Sequence, residues 1–181
     1  MNKKLVVIIN GPAGVGKDTL IDEYAKRTRN SVYNYSTIDY FKDVAKRDFG
    51  WNEEKNEKGR KLLSEIKRIA IEYNNLPTEI TIKKVNQFYS MEYQNNAIMF
   101  IHVREKEETD KLIRRLTNEG FLVTSVYVYT TREIDKFDNN DSDSYASNFR
   151  NGLNDYKCFI TNDDLDESVE RLSEFIDLCL N

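Results

Sequence analysis

Several kinds of site are hard to build from what this chain contains. There is one histidine, His102, and it lies inside an apolar run. A histidine-based metal centre or a Ser-His-Asp relay is therefore not expected, and a satisfied core histidine is. The two cysteines, Cys158 and Cys179, stand far apart in no metal or redox spacing, so both read as reduced packing residues. The longest apolar run near the N-terminus, Leu5 to Ile9, is far below the length of a signal h-region or a membrane span. Without a secretory signal, the glycosylation-like triplets Asn34-Tyr35-Ser36 and Asn140-Asp141-Ser142 carry no weight, and a cytoplasmic location is expected. The formal net charge of −4 gives no general attraction to a nucleic-acid polyanion, although local basic clusters can hold a small anion.

What remains is a soluble globular composition, with 39% hydrophobic and 32% charged residues among 181. That length fits one domain, residues 1–181, and is short for two. Leu5–Asn10 is a β-branched run without polar alternation, as a parallel strand covered on both faces requires. A helix from Asp18 to about Arg29 and a weaker strand, Val32–Tyr35, follow. Ala97–Val103 is again continuous. The next helix carries Glu107 and Glu108 in its first turn and Arg114 and Arg115 in its last, closed by Gly120. Phe121–Tyr129 and Lys157–Ile160 supply two more strands. In the last helix Leu165, Ser168, Val169, Leu172, Phe175, Ile176 and Cys179 share one face, with Asp164 and Glu167 spaced as a capping box. Alternation of this kind predicts an α/β fold with a parallel sheet, because parallel strands need crossovers. Two segments interrupt it. Residues 37–93 read as three helices with breaks at Asn52–Asn56 and Asn74–Pro77, and residues 130–156 are polar, loop-like and long enough to suggest a moving lid or a disordered segment.

Chemistry concentrates at Gly11 to Thr19, GPAGVGKDT. Gly11, Gly16 and Lys17 satisfy the G-x-x-x-x-G-K spacing, and Gly11, Gly14 and Gly16 are three of only seven glycines. Glycines there, with Ala13 and Val15 between them, let successive N–H groups turn inward at a phosphate. The following helix adds its positive end, and the lysine reaches the β- and γ-phosphates. A strand before and a helix after complete the context of a nucleotide triphosphate loop. Asp18 stands where the motif has Ser or Thr to ligate Mg²⁺. A carboxylate can do so directly or through water. Thr19, rotated by about 100° around the helix, does not replace the missing hydroxyl.

At this point the chain resembles the deoxynucleoside monophosphate kinases of the bacteriophage type, within the adenylate-kinase-like group of P-loop proteins, from Leu5 to the C-terminus. The markers are the GKDT loop ending, Ser36-Thr37-Ile38-Asp39 with Lys42, and Gly50-Trp51 with Lys55, Lys58-Gly59-Arg60 and Ser64-Glu65-Ile66-Lys67. Phe100-Ile101-His102-Val103-Arg104-Glu105 and Ile160-Thr161-Asn162-Asp163 complete them. The resemblance implies a three-layer P-loop fold with a five-stranded parallel sheet. It also implies a helical acceptor-binding insertion at 37–93, an arginine-bearing lid at 130–156, and a donor-base border at Asn162 and Asp163.

On the helix near Glu57–Tyr73, Leu62, Leu63, Ile66, Ile69, Ala70 and Tyr73 define the expected buried arc, with Arg60, Ser64 and Lys67 on an adjoining stripe. Geometry leaves that stripe open between a cleft lining and a solvated face; the resemblance assigns Arg60, and then Lys67, to phosphate binding. Arg104 ends a buried strand at its carboxyl end, where open α/β sheets bind ligands, and is read as an acceptor-phosphate ligand. No Asp closes that strand, so Glu105, Asp39 or water completes the metal shell. Arg132 opens the lid and Arg150 lies near its far end; lid arginines suit the charge of phosphoryl transfer. The acidic stretch Asp138–Asp143 reads as a lid tip or acceptor-base contact, and Tyr89 and Tyr93 as further acceptor-base candidates.

The resulting expectation is transfer of the ATP γ-phosphate to a (deoxy)nucleoside monophosphate with Mg²⁺. Its catalytic residues are Lys17, Arg104 and Arg132. The donor lies on Gly11, Ala13, Gly14, Val15, Gly16, Lys17, Asp18, Thr19, Asn162 and Asp163, with Asp18 on the metal. The acceptor lies on Ser36, Asp39, Lys42, Arg60, Lys67 and Arg104. No nucleic-acid polymer or membrane partner is expected, and a homodimer is left open. The alternatives are a kinase of another small metabolite and a nucleotide-binding regulatory protein without transfer.

Overall fold

The computed structural model describes residues 4–54, 56–91, 96–132 and 157–181. Five strands, β1 (Lys4–Asn10), β2 (Ser31–Ser36), β3 (Ala97–His102), β4 (Leu122–Tyr129) and β5 (Cys158–Thr161), form one sheet in the order β2-β3-β1-β4-β5. Every pairing is parallel. The helices described are α1 (Lys17–Arg27), α2 (Asp39–Phe49), α3 (Glu57–Asn74), α4 (Leu76–Met91), α5 (Lys106–Asn118) and α6 (Leu165–Leu180).

The unbroken apolar strands are explained by two cores, one on each face of the sheet. Leu5, Val7 and Ile9 point to one side, with Ile98 and Phe100, and meet Leu20, Ile21 and Tyr24 of α1 and Val169, Leu172 and Ile176 of α6. Val6 and Ile8 point to the other, with Met99 and Ile101, and meet Ile82 and Val85 of α4 and Leu112 and Leu116 of α5. With a side-chain period of two, a central strand between two helical layers has no face left for polar residues. Cys158 and Cys179 are thiols, not a disulfide, and pack on the first core, as expected. Asp164 caps α6 by accepting the Glu167 N–H at 3.0 Å, as the sequence pattern predicts.

The segment between β2 and β3 is three helices, as read from the sequence, but the first break is wider, from Phe49 to Glu57, and the second tighter. Asn75, at φ 53°, alone separates α3 from α4, and Pro77 lies buried in the first turn of α4 where its missing N–H costs nothing. Gly50 ends α2 at φ 65°, and Trp51 beyond it lies against Gly59, where an added Cβ would come within 2.6 Å of the indole nitrogen. Two of the motif markers are thus a packing device for the α2–α3 turn.

The covered face of α3 is only partly the one the apolar period indicates, with Leu62, Leu63, Ile66 and Ala70 half-buried. Ile69 and Tyr73 are exposed, and the buried residues are Gly59 and Lys67. Helix α3 packs on α2 and α4 rather than on the sheet, so its neighbours, not its apolar arc, decide what is covered. Tyr89 is also corrected. It is buried, its hydroxyl donating to the carbonyl of Leu5, at the amino end of β1 and away from the phosphate loop. Tyr93, Lys55, Arg150, Asp138–Asp143 and residues 133–156 of the expected lid lie outside the described residues.

Candidate functional site

Strand order places the site before any side chain is considered. β1 is followed by α1 on one face of the sheet and β3 by α5 on the other, and β1 and β3 are neighbours. A crevice opens at the carboxyl ends of such a strand pair, where loops diverge to opposite faces. The loop Gly11–Gly16 leaves β1 into this crevice, and Arg104 leaves β3 beside it.

The loop's backbone needs its glycines. Gly11, Gly14 and Gly16 have φ of 144°, 79° and 84°. A Cβ on Gly11 would sit 2.1 Å from the Val128 carbonyl oxygen, so β4 passes too close for any side chain. Gly16 is the N-cap of α1, and a Cβ there would lie 2.5 Å from Asn162 Nδ2. A left-handed alanine costs about 1–2 kcal/mol, and the contact with Asn162 adds to it. Gly16→Ala is therefore expected to weaken nucleotide binding at least about tenfold, at 1.4 kcal/mol per decade; titration of the variant with ADP checks it.

Two asparagines hold this loop in place: Asn10, which no motif marks, and Asn162, expected at the donor-base border. Asn10, 1% exposed, accepts the Gly11 N–H at 2.7 Å and donates to the Arg104 carbonyl at 3.3 Å, tying the phosphate loop to the turn after β3. Asn162 donates through Nδ2 to the Val15 carbonyl at 2.7 Å, bracing the loop from the β5 side. Its Oδ1 is buried with no partner among the described residues. The Lys17 ammonium folds over the loop and donates to the carbonyls of Gly11 and Pro12 at 2.8 and 2.7 Å. Ala13 is half-buried, Val15 buried and Thr19 exposed.

Asp163 binds the entrance to the 130–156 segment. Its carboxylate accepts from both hydroxyls of Thr130 and Thr131 and from the Thr131 N–H at 3.0 Å, and Arg132 Nε lies 3.9 Å away. The Thr130 hydroxyl, followed by that of Thr131, holds this carboxyl below its ordinary range.

On the acceptor side, Asp39 at the start of α2 accepts the Ser36 N–H at 3.2 Å and the Lys42 ammonium at 2.6 Å, closing the turn after β2. Arg60 is half-buried in the first turn of α3, and Arg104 is half-buried beyond β3. Lys67 is brought to Arg104's neighbour instead of into an open stripe: its ammonium donates to Glu105 Oε2 at 2.6 Å. Burial pushes the Glu105 carboxyl up, but the charge and hydrogen bond of Lys67 more than offset this, and the net shift is downward.

The end of β3 carries no carboxylate. Instead His102 faces the loop, its Nε2 2.7 Å from Asn34 Oδ1 and 3.4 Å from Asp18 Oδ1. It is not a core residue but a strand-end residue at the site. Burial pulls the imidazole down to about 4, against the opposing pull of Asp18, so it is neutral near pH 7. The linkage has a definite sign. Between pH 6.5 and about 4 the unfolded chain binds this proton and the folded one does not, so stability falls as pH is lowered through that window. His102→Gln is expected to flatten that part of the denaturation profile.

No family model matches the sequence, and no curated protein matches it. Solved structures do match the fold. The tunicamycin resistance protein of Deinococcus radiodurans superposes with a TM-score of 0.61 at 13% identity, over 96% of both chains. The APS kinase of Mycobacterium tuberculosis, solved in complex with AMPPNP and APS, superposes with a TM-score of 0.52 at 11% identity, over 98% of this chain and 99% of that one. The chain has a three-layer α/β P-loop fold built on a five-stranded parallel sheet. Its phosphate loop, strand order and helical layers are in place. Identities this low concern architecture alone. Among the described residues no helix is long and apolar enough to cross a membrane.

Proposed function

We propose that the chain transfers the γ-phosphoryl group of ATP to the phosphate of a (deoxy)nucleoside monophosphate. The observation that carries this reading is the juxtaposition of the phosphate loop on β1 with Arg104 at the end of the neighbouring strand β3. In this reading Lys17 and the loop amides hold the donor phosphates, with Asn162 and Asp163 bordering the donor. Arg60 and Arg104 grip the acceptor phosphate, with Ser36, Asp39 and Lys42 shaping the floor beneath it. Arg132 closes over the transferred group. The bond from the γ-phosphorus to the bridging oxygen of ADP breaks, and one forms to an ionised acceptor phosphate oxygen. That oxygen carries no proton at neutral pH, so alignment and charge neutralisation suffice.

The residues fit a divalent cation modestly. Asp18 offers one carboxylate beside the phosphate loop, with no contact on Oδ2 among the described residues. Among those residues no cluster of three or more His, Cys, Asp or Glu side chains surrounds it. This suits Mg²⁺, which keeps several waters and takes one or two carboxylates with the substrate phosphates. When bound it would neutralise charge on the β- and γ-phosphates.

A kinase of a different small metabolite is the second reading, favoured by the likeness in fold to APS kinase. Incubation with ATP and Mg²⁺ against ribo- and deoxynucleoside monophosphates and against non-nucleotide acceptors, following ADP, tests both. Turnover dependent on a nucleoside monophosphate supports the proposal. Turnover with a non-nucleotide alone supports the second reading. ATP binding with no acceptor response points to a regulatory nucleotide-binding protein.

A further inference from the structure

Nothing on α1 fixes the side chain of Asp18. It is 80% exposed in the first helical turn, and a short acid there has several staggered rotamers of similar energy. The sheet supplies what the helix does not. In the parallel register of β2 and β3, Asn34 is opposite Phe100 and Ser36 opposite His102, so Asn34 and His102 stand on the face that α1 covers. Asn34 Nδ2 donates to Asp18 Oδ1 at 3.0 Å, and Asn34 Oδ1 lies 2.7 Å from His102 Nε2.

The chemistry of the groups orients this chain of bonds. A carboxylate only accepts, so the amide must turn its NH₂ to Asp18 and its oxygen to the imidazole; His102 Nε2 must then carry the hydrogen. Each donor therefore points towards Asp18. His102 is itself anchored, because its carbonyl accepts from the N–H and hydroxyl of Thr37 at 3.3 and 3.2 Å. Both contacts on Asp18 fall on Oδ1.

We propose that Asn34 and His102 are positioning residues that hold Oδ1 of Asp18 from the sheet side and so present Oδ2 to the divalent cation accompanying the donor nucleotide. This rests on the reading of Asp18 as the metal-holding residue. It makes the strand end a substitute for the missing carboxylate: His102 of β3, through the amide of Asn34 on β2, orients an acid in the first turn of α1.

Binding of Mn²⁺ to the protein–ADP complex, read from the electron paramagnetic resonance signal of free Mn²⁺, tests this without turnover. Loss of an outer-shell partner typically costs about 10–100-fold in metal affinity, so Asn34→Ala is expected to weaken Mn²⁺ at least about tenfold. ADP binding in EDTA should stay unchanged, showing an intact loop. His102→Leu should match Asn34→Ala, and His102→Gln, which keeps an N–H donor, should stay near wild type. The double variant D18A/N34A should bind Mn²⁺ no more weakly than D18A, since the two act as one unit. Wild-type affinity in N34A alongside a loss in D18A would overturn the positioning role and leave Asp18 as metal holder. A further loss in the double variant would overturn it too, by placing the effect of Asn34 elsewhere. Wild-type affinity in D18A would overturn both the positioning role and the reading of Asp18.

Discussion

A Lys17→Met protein is expected to lose phosphoryl transfer by at least about two to three orders of magnitude, the typical effect of removing one preorganised transition-state donor. The side-chain length is nearly kept, so the change isolates the ammonium. In the structure that ammonium donates to the carbonyls of Gly11 and Pro12, the two residues that open the loop. Removing it therefore withdraws an internal tie and, on the proposed function, a phosphate ligand. The loop keeps independent supports at both ends, in Asn10 on the Gly11 N–H and Asn162 on the Val15 carbonyl. Its backbone should survive the substitution, and thermal stability should change little. Single-turnover rates at saturating ATP, with ADP binding measured alongside, distinguish a lost reaction from a lost fold.

Glu105→Ala is expected to destabilise the fold at the edge of the site. It leaves the Lys67 ammonium, only 9% exposed, without its carboxylate. Removing one partner of a fully buried pair costs about 3–5 kcal/mol because the other charge stays buried; this pair is covered on the lysine side only, so a loss below that range is expected. Lys67→Met should cost much less, because the Glu105 side chain is 37% exposed and can turn to water. The pair K67M/E105A should recover most of the loss, as coupled neighbours do. Denaturant titration of the three variants measures all of this. The pH dependence follows from the lowered Glu105 carboxyl: its contribution is full above its ordinary value of 4.5 and is lost as pH falls below it. Because Glu105 adjoins Arg104, the loss should also appear as a weaker acceptor interaction.

The sheet, the phosphate loop and α6 could be read from residue order because each rests on local rules. Leu5–Asn10 has to be a doubly covered strand, three glycines with Lys17 have to make a phosphate loop, and Asp164 has to begin a helix. The misread residues depend on tertiary partners. Ile69 and Tyr73 lie on a faultless apolar period, yet the face that α3 turns to α2 and α4 is shifted towards Gly59 and Lys67 and leaves these two exposed. Lys67 appears as a cleft-lining cation until Glu105 is brought across from β3. His102 was placed in the core by its apolar neighbours. It is the last residue of β3, and a carboxyl-end residue of a parallel strand belongs to the ligand edge; that signal was available in the sequence. Asn10, Asn34 and the loop-bracing role of Asn162 had no such signal, since an asparagine's work is set by which two groups it finally lies between.

The most direct measurement is to follow where the γ-phosphoryl group goes. With isotopically labelled γ-phosphate on ATP, Mg²⁺ and the preferred nucleoside monophosphate, the label should appear on the acceptor as the β-phosphate of a nucleoside diphosphate, one for each ADP formed. Label found only as inorganic phosphate, or retained on ATP with every nucleoside monophosphate tried, would contradict the account.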